Sequence, residues 1–161
     1  MTTLLPGCMA CDIVSGKFIQ PGGTIFENAY WHVDAAKHAN VWPGFLMIKL
    51  KRHCVNLAEL TPPEAASLGI VIQITNQALM EVLHPAKIYL CSFGDGNSHI
   101  HLWVLPRPPE MKPGMHPVIF NLDMRRNLTK YLHFKKWLVP EAELVRIAEQ
   151  VRMNIEKMHF P

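Results

Sequence analysis

The chain has 161 residues, 18% of them charged and 49% apolar, with a formal net charge of +3. That is one domain's length with enough apolar material for a real core, which excludes a disordered polymer and a mini-protein held by disulfides. No run reaches the roughly 18 apolar residues of a membrane helix, and Met1–Gly16 has no basic leader before an apolar run, so a soluble protein of the cytoplasm is expected.

The N-terminal stretch holds Cys8-x-x-Cys11. In an intracellular chain of this size such a pair points to metal or redox work rather than a structural disulfide. Residues 24–34 (TIFENAYWHVD) predict two strands around a tight turn at Glu27–Asn28. Val41, Trp42, Pro43 and Gly44 read as a turn that opens a strand over Phe45–Leu50, ended by the basic run Lys49, Lys51 and Arg52. Thr61 precedes Pro62 and Pro63, with Glu64 three residues on. This is a capping box with proline in the first turn, and the helix should run to about His84, because Pro85 follows.

Lys87–Phe93 predicts a strand, Gly94–Asp95–Gly96 a turn, and His99–Leu105 a second strand stopped by Pro106; together they make a hairpin. Five prolines between residues 106 and 118 predict a loop or arm. A second helix starts near Pro140, with Leu144, Val145, Ile147, Ala148, Val151 and Ile155 at helical spacing; that face packs on a sheet or on a partner subunit. Hairpin-linked strands favour an antiparallel sheet, hence an α+β fold. Residues 1–107 form the core, and residues 108–161 a C-terminal extension of the same domain. Residues 107–136 carry seven basic and two acidic residues, which is either a solvated surface or a patch that meets phosphates.

The segment Ser98–Arg107 (SHIHLWVLPR) is the most informative. On a strand, side chains alternate faces, so His99, His101 and Trp103 share one face, and Ile100, Leu102 and Val104 the other, which is core. Two histidines at i and i+2 are weak evidence alone: one buried, hydrogen-bonded ring and one exposed ring would explain them.

The alternation of histidines and apolar residues, preceded by a strand and a glycine turn and followed by Pro106-Arg107, resembles the signature of the histidine-triad family. The resemblance extends to Cys8-x-x-Cys11 with Gly16, the strand ending at Glu27, Pro43-Gly44 before an apolar strand, Lys51-Arg52-His53, Leu57 to Glu64, and the hairpin at 87–105. It covers about residues 8–107. It implies that His101 attacks the α-phosphate of a nucleotide and forms a nucleotidyl-histidine that water hydrolyses. Imidazole suits this, being neutral and nucleophilic near pH 7. The attacking nitrogen must be unprotonated, so the other should donate to a carbonyl or carboxylate. Backbone N–H groups of the Gly94–Gly96 turn, with Asn97 and Ser98, can hold the phosphate, although a plain hairpin turn explains the same residues.

The resemblance further implies a structural zinc on Cys8, Cys11, His53 and His99, a closed set of two thiolates and two imidazoles, and a twofold homodimer. Cys54 and Cys91 are read as buried small apolar side chains. Asp34 matches the neighbourhood of a residue that binds ribose hydroxyls, or is a solvated strand-end carboxylate. His32, His38, His84, His116, His133 and His159 are expected at the surface or at helix ends.

Two positions depart from the pattern. Trp103 stands at the third triad position, and Phe45 stands where a histidine often follows Pro-Gly. The expected function is hydrolysis or transfer at the α-phosphate of a nucleotide or dinucleotide. The alternative is a nucleotide-binding sensor, or a zinc-stabilised interaction module, that has lost turnover. Nucleic-acid end processing is a distant third, and no membrane partner is expected.

Overall fold

A computed structural model describes residues 3–36, 43–94, 96–113 and 139–158. Its elements are α1 (Met9–Val14), β1 (Thr24–Glu27), β2 (Trp31–Ala35), β3 (Leu46–Leu50), α2 (Pro62–Leu83), β4 (Lys87–Cys91), β5 (His101–Arg107) and α3 (Glu141–Lys157). The strands form one antiparallel sheet in the order β1-β2-β3-β5-β4. This is the expected α+β architecture, with α2 as the main helix and α3 as the C-terminal one.

Local chemistry sets the boundaries. At the β1–β2 turn the Asn28 Oδ1 accepts the N–H groups of Tyr30 and Trp31 at 2.9 and 2.8 Å, an Asx turn that frees the chain from a longer loop. At the start of α2, Glu64 accepts the Thr61 N–H at 2.8 Å, the reciprocal half of the capping box. The same carboxylate takes two bonds from Arg52, at 2.7 and 2.8 Å. Those bonds hold its pKa down at about 2. The helix ends at His84, whose φ of 45° is the left-handed conformation that terminates many helices.

One sheet face carries the main core. Trp31, Val33, Leu46, Ile48, Leu102 and Val104 meet Val71, Ile74, Ala78 and Leu79 of α2, and Ile147, Ala148, Val151 and Ile155 of α3. Gly44 sits under this packing with φ +73°, a left-handed backbone that favours glycine, and a Cβ there would crowd Leu83, Leu79 and Pro106.

Several expectations change. The last strand begins at His101 rather than His99 and runs through Pro106 to Arg107. Proline is tolerated because β3 begins at Leu46, opposite Val104; beyond that point the described partner of β5 is β4, and Pro106 lies opposite Ile88. α1 was not legible in sequence, being too short for a periodic signal. The apolar stripe of α3 is buried inside this chain, so apart from the exposed Met153 that helix offers, among the described residues, no apolar face to a partner. α2 does: from Ala65 to Met80 it has no charged residue, and Ile70 and Met80 are exposed. It is long and apolar enough by composition to cross a membrane, with mean hydropathy 1.3 over its most apolar window, yet its other face packs in the core. The arm expected over 106–118 lies partly, and the basic stretch 107–136 mostly, outside the described residues.

Candidate functional site

The first cluster joins the N-terminal arm to the sheet. Cys8 caps α1 and Cys11 follows one turn later, so both thiols point the same way. Residues 99–100 continue the line of β5: Ile100 donates its N–H to the Cys54 carbonyl and accepts from Leu50. That placement brings His99 beneath α1. Its Nε2 lies 2.7 Å from the Leu50 carbonyl. A carbonyl only accepts, so Nε2 carries the proton and Nδ1 is left with a free lone pair. Nδ1 lies 3.5 Å from Cys8 Sγ and 3.4 Å from Cys11 Sγ. His53 Nδ1 completes the group at 3.5 Å from Cys11 Sγ.

The four ligand atoms lie within 4.8 Å of one another. A tetrahedral zinc with bonds of about 2.3 Å to sulfur and about 2.0–2.1 Å to nitrogen sets those atoms roughly 3.5 Å apart. The cluster therefore fits zinc in donor type, number and spacing. The carbonyl behind His99 is the outer-shell acceptor that such ligands use to fix their tautomer. Burial pushes the Cys11 thiol up and the His99 imidazole down, so a thiolate here needs a cation beside it. All four cysteines are free. Cys54 is buried as expected, but its thiol donates to the Asn56 carbonyl at 3.5 Å, and Cys91 is only half-buried beside apolar side chains.

The second cluster lies on the sheet face away from the helices. Register puts Glu27, His32, Lys49 and His101 in one row across four strands, and Asp34, Met47, Trp103 and Cys91 in the next. His101 is buried, and its Nδ1 lies 2.7 Å from the His99 carbonyl. The argument used for His99 applies again: Nδ1 carries the proton and Nε2 keeps its lone pair. Beside it opens a cleft of about 200 Å³, which His101 lines together with Val55, Leu57, Phe93, Gly94 and Ser98.

Of the loop residues expected to hold a phosphate, Gly94 has φ +76° and lines the cleft, as does the exposed Ser98. Asn97 turns inward, its Oδ1 accepting the His99 N–H at 3.2 Å and lying 3.7 Å from Cys8 Sγ. Gly96 is exposed, and a Cβ there would meet nothing within 4 Å. His99 has both ring nitrogens engaged by protein groups. Trp103 stacks beside His101 with ring centroids 6.4 Å apart. It also meets Phe45 and Phe93 at 5.3 and 5.2 Å. The two residues that replace histidines thus touch each other in an aromatic cluster.

Asp34 is not a solvated strand end. It is buried, with its carboxylate bonded to Lys49 and, at 3.1 Å, to His32 Nε2. His32, expected at the surface, is buried as well, and its Nδ1 has no hydrogen-bond partner. Burial pulls the Lys49 pKa down against the opposing pull of Asp34. The sequence did carry a signal for this pair. In WHVDA and LMIKL the polar residues fall on alternate positions, so one face had to hold all three. His84 is at a helix end as expected; His38, His116, His133 and His159 lie outside the described residues.

Solved structures share this arrangement of strands and helices. A Hit-like protein involved in cell-cycle regulation from Bartonella henselae superposes with a TM-score of 0.67 at 12% identity, covering 94% of this chain and 99% of its own. A hypothetical histidine triad nucleotide-binding protein from Sulfolobus tokodaii gives 0.67 at 15%, covering 92% of each chain. A zinc-bound histidine triad family protein from Mycobacterium smegmatis gives 0.65 at 20%, covering 94% of each. The fold is the histidine-triad fold. No protein-family model and no curated protein sequence matches the chain, so the likeness is one of fold.

Proposed function

We propose that the chain binds a nucleotide and displaces the group on its α-phosphate, with His101 Nε2 as nucleophile and a nucleotidyl-histidine as intermediate. The observation that carries this reading is the His101 tautomer. Its Nδ1 proton is held by the His99 carbonyl, and the free Nε2 belongs to a ring that lines a cleft. Attack forms a P–N bond and breaks the bond to the leaving group; water then breaks the P–N bond and restores the imidazole. Charge on the phosphoryl oxygens needs preorganised donors. Gly94, Gly96, Asn97 and Ser98 are assigned that part, through backbone N–H groups and the Ser98 hydroxyl. Mass spectrometry after incubation with adenine and guanine nucleotides and dinucleotides tests it: an adduct on wild type, and none on His101→Ala, is expected.

A second reading is favoured by Phe45 and Trp103. Neither adds a charge to the site, so the chain would bind a nucleotide without turnover, as a sensor. Measurable binding with no product and no adduct over days would select it.

Cys8, Cys11, His53 and His99 are assigned as zinc ligands. Bound there, the ion supplies no open position for chemistry; it ties the N-terminal arm to the sheet. Elemental analysis of untagged protein should give about one zinc per chain. Metal-free protein whose melting is unchanged by chelators would sink the assignment. Four cysteines with no disulfide among them suit a reducing compartment such as the cytoplasm.

The homodimer is proposed through the uncharged face of α2, with Ile70 and Met80 exposed upon it. Sedimentation at micromolar concentration should show a dimer that Ile70→Glu dissociates.

A further inference from the structure

The cluster of Cys8, Cys11, His53 and His99 is what chiefly ties the N-terminal arm to the sheet. Among the described residues, Cys8, Ala10 and Cys11 form a small apolar group of their own, and the arm contributes no side chain to the main core. A backbone bond adds to the tie, the His53 N–H donating to the Thr3 carbonyl at 2.7 Å. α1 has only six residues, and Gly7 and Gly16, both with positive φ, stand on either side of it. A Cβ at either glycine would meet nothing within 4 Å. The short helix therefore hangs between two hinges and is held in place mainly through its thiols.

The two thiols are also placed to join. Cys11 follows Cys8 by three residues, which sets their Cα atoms about 5 Å apart along a helical turn, within the span that a disulfide bridges. Both Sγ atoms face the same His99 Nδ1, at 3.5 and 3.4 Å, and all four ligand atoms lie within 4.8 Å of one another. Cys8 has extended backbone outside the helix, so its side chain can turn toward Cys11 without unwinding α1. A zinc site of two thiolates and two imidazoles loses half its ligands, and all their negative charge, when the sulfurs bond to each other. Cys54 and Cys91 stand outside the cluster.

We propose that this cluster is a redox switch: a peroxide joins Cys8 to Cys11, which expels the zinc and releases the N-terminal arm from the sheet. The switch rests on the zinc assignment above and adds its regulation. Cys8 is the more exposed of the two residues, 8% against 2%, and reacts first. Its thiolate takes one oxygen from hydrogen peroxide and becomes a sulfenic acid, while the O–O bond breaks and the other oxygen leaves as hydroxide. The Cys11 thiolate then attacks the Cys8 sulfur. The S–S bond forms, the S–O bond breaks and a second hydroxide leaves; protons from solvent turn both hydroxides into water. The sulfurs have together given two electrons to the peroxide, and the zinc departs as the divalent ion from the two neutral imidazoles. The effect reaches the cleft through His99, whose ring is a ligand and whose carbonyl holds the His101 Nδ1 proton.

The test treats untagged, zinc-loaded wild type with hydrogen peroxide. It follows zinc with a chromogenic chelator, thiols by alkylation, and trypsin cleavage after Lys17, an exposed residue just past Gly16. About one zinc per chain should be released, while alkylation falls by two from the four free cysteines and a Cys8–Cys11 linked peptide appears on mapping. Cleavage after Lys17 should speed up about tenfold, because protease reads the opened state of the arm. A dithiol reductant with added zinc should reverse all of these changes. Cys8→His keeps four ligands and cannot form the bridge, so its zinc should stay; where that variant does not fold, the wild-type peptide map decides alone. Zinc retained by the oxidised wild type, zinc lost without a Cys8–Cys11 bridge, or equal release from Cys8→His overturns the switch while the zinc assignment stands. Reduced protein that holds no zinc overturns both.

Discussion

The two faces of the sheet are made by the same five strands and hold opposite chemistry. The face under α2 and α3 is apolar throughout, and its residues are found by alternation alone. The other face holds His32, Asp34, Lys49, His101 and Trp103, most of them buried, and His101 among them lines the cleft. The contrast teaches that a strand can serve stability and chemistry at once, because neighbouring residues point to different sides. It also makes the second face the expensive one: charge is buried there, and it persists only where each group has its partner.

The sharpest way to separate the faces is to remove the nucleophile. His101→Ala should lower turnover by several powers of ten, since no positioned group replaces it, while the thermal melt stays close to wild type. A variant that retains comparable rates moves the nucleophile elsewhere. Next in size is the buried pair. Lys49→Ala strands the Asp34 carboxylate without its cation and should cost about 3–5 kcal/mol in denaturant unfolding. Lys49→Met combined with Asp34→Leu should recover most of that loss, because the desolvation cost of both charges disappears. A double variant as unstable as the single one would show that the pair is needed for packing rather than for charge balance.

On the helix side the effect should depend on volume alone. Ile147→Ala empties a fully packed site between α3 and the sheet and should cost about 2–5 kcal/mol, with kcat/KM per folded molecule unchanged. A loss of activity beyond the unfolded fraction would couple the two faces. The smallest effect concerns the edge where they meet. Arg52 holds Glu64 at a pKa of about 2, below its ordinary 4.5. A depressed carboxylate stabilises the fold above its unfolded value, and that stability is lost as pH falls from about 4.5 toward 2. Arg52→Gln should flatten this part of the stability–pH curve, which urea melts across the window would show. A slope identical to wild type would place the acid sensitivity in other groups.

Within the sequence, the capping box at Thr61–Glu64, the hairpin of β4 and β5, and the apolar sides of β2, β3 and β5 were legible, because each follows from local periodicity or from one turn's chemistry. His101 was legible by its pattern, and so were the four members of the Cys8, Cys11, His53 and His99 group. Their ring protons were not. Which nitrogen of His99 or His101 is free depends on the Leu50 and His99 carbonyls, and the first of those arrives only when β3 lies beside residues 99–100. Asp34, Lys49 and His32 show the same limit from the other side. Asp34 reads as a ribose ligand or a solvated strand end, His32 as a surface residue, and Lys49 as part of a basic run that ends its strand. The pairing register of β2 against β3, set by the whole sheet, brought opposite charges together and buried them. The face of α3 was read correctly as apolar, but whether it met this chain or another was decided by where the chain returned. Sequence fixes which side chains share a face; only tertiary packing decides what lies across from that face, and hence which charges are paired, which protons are held and which surface is left open.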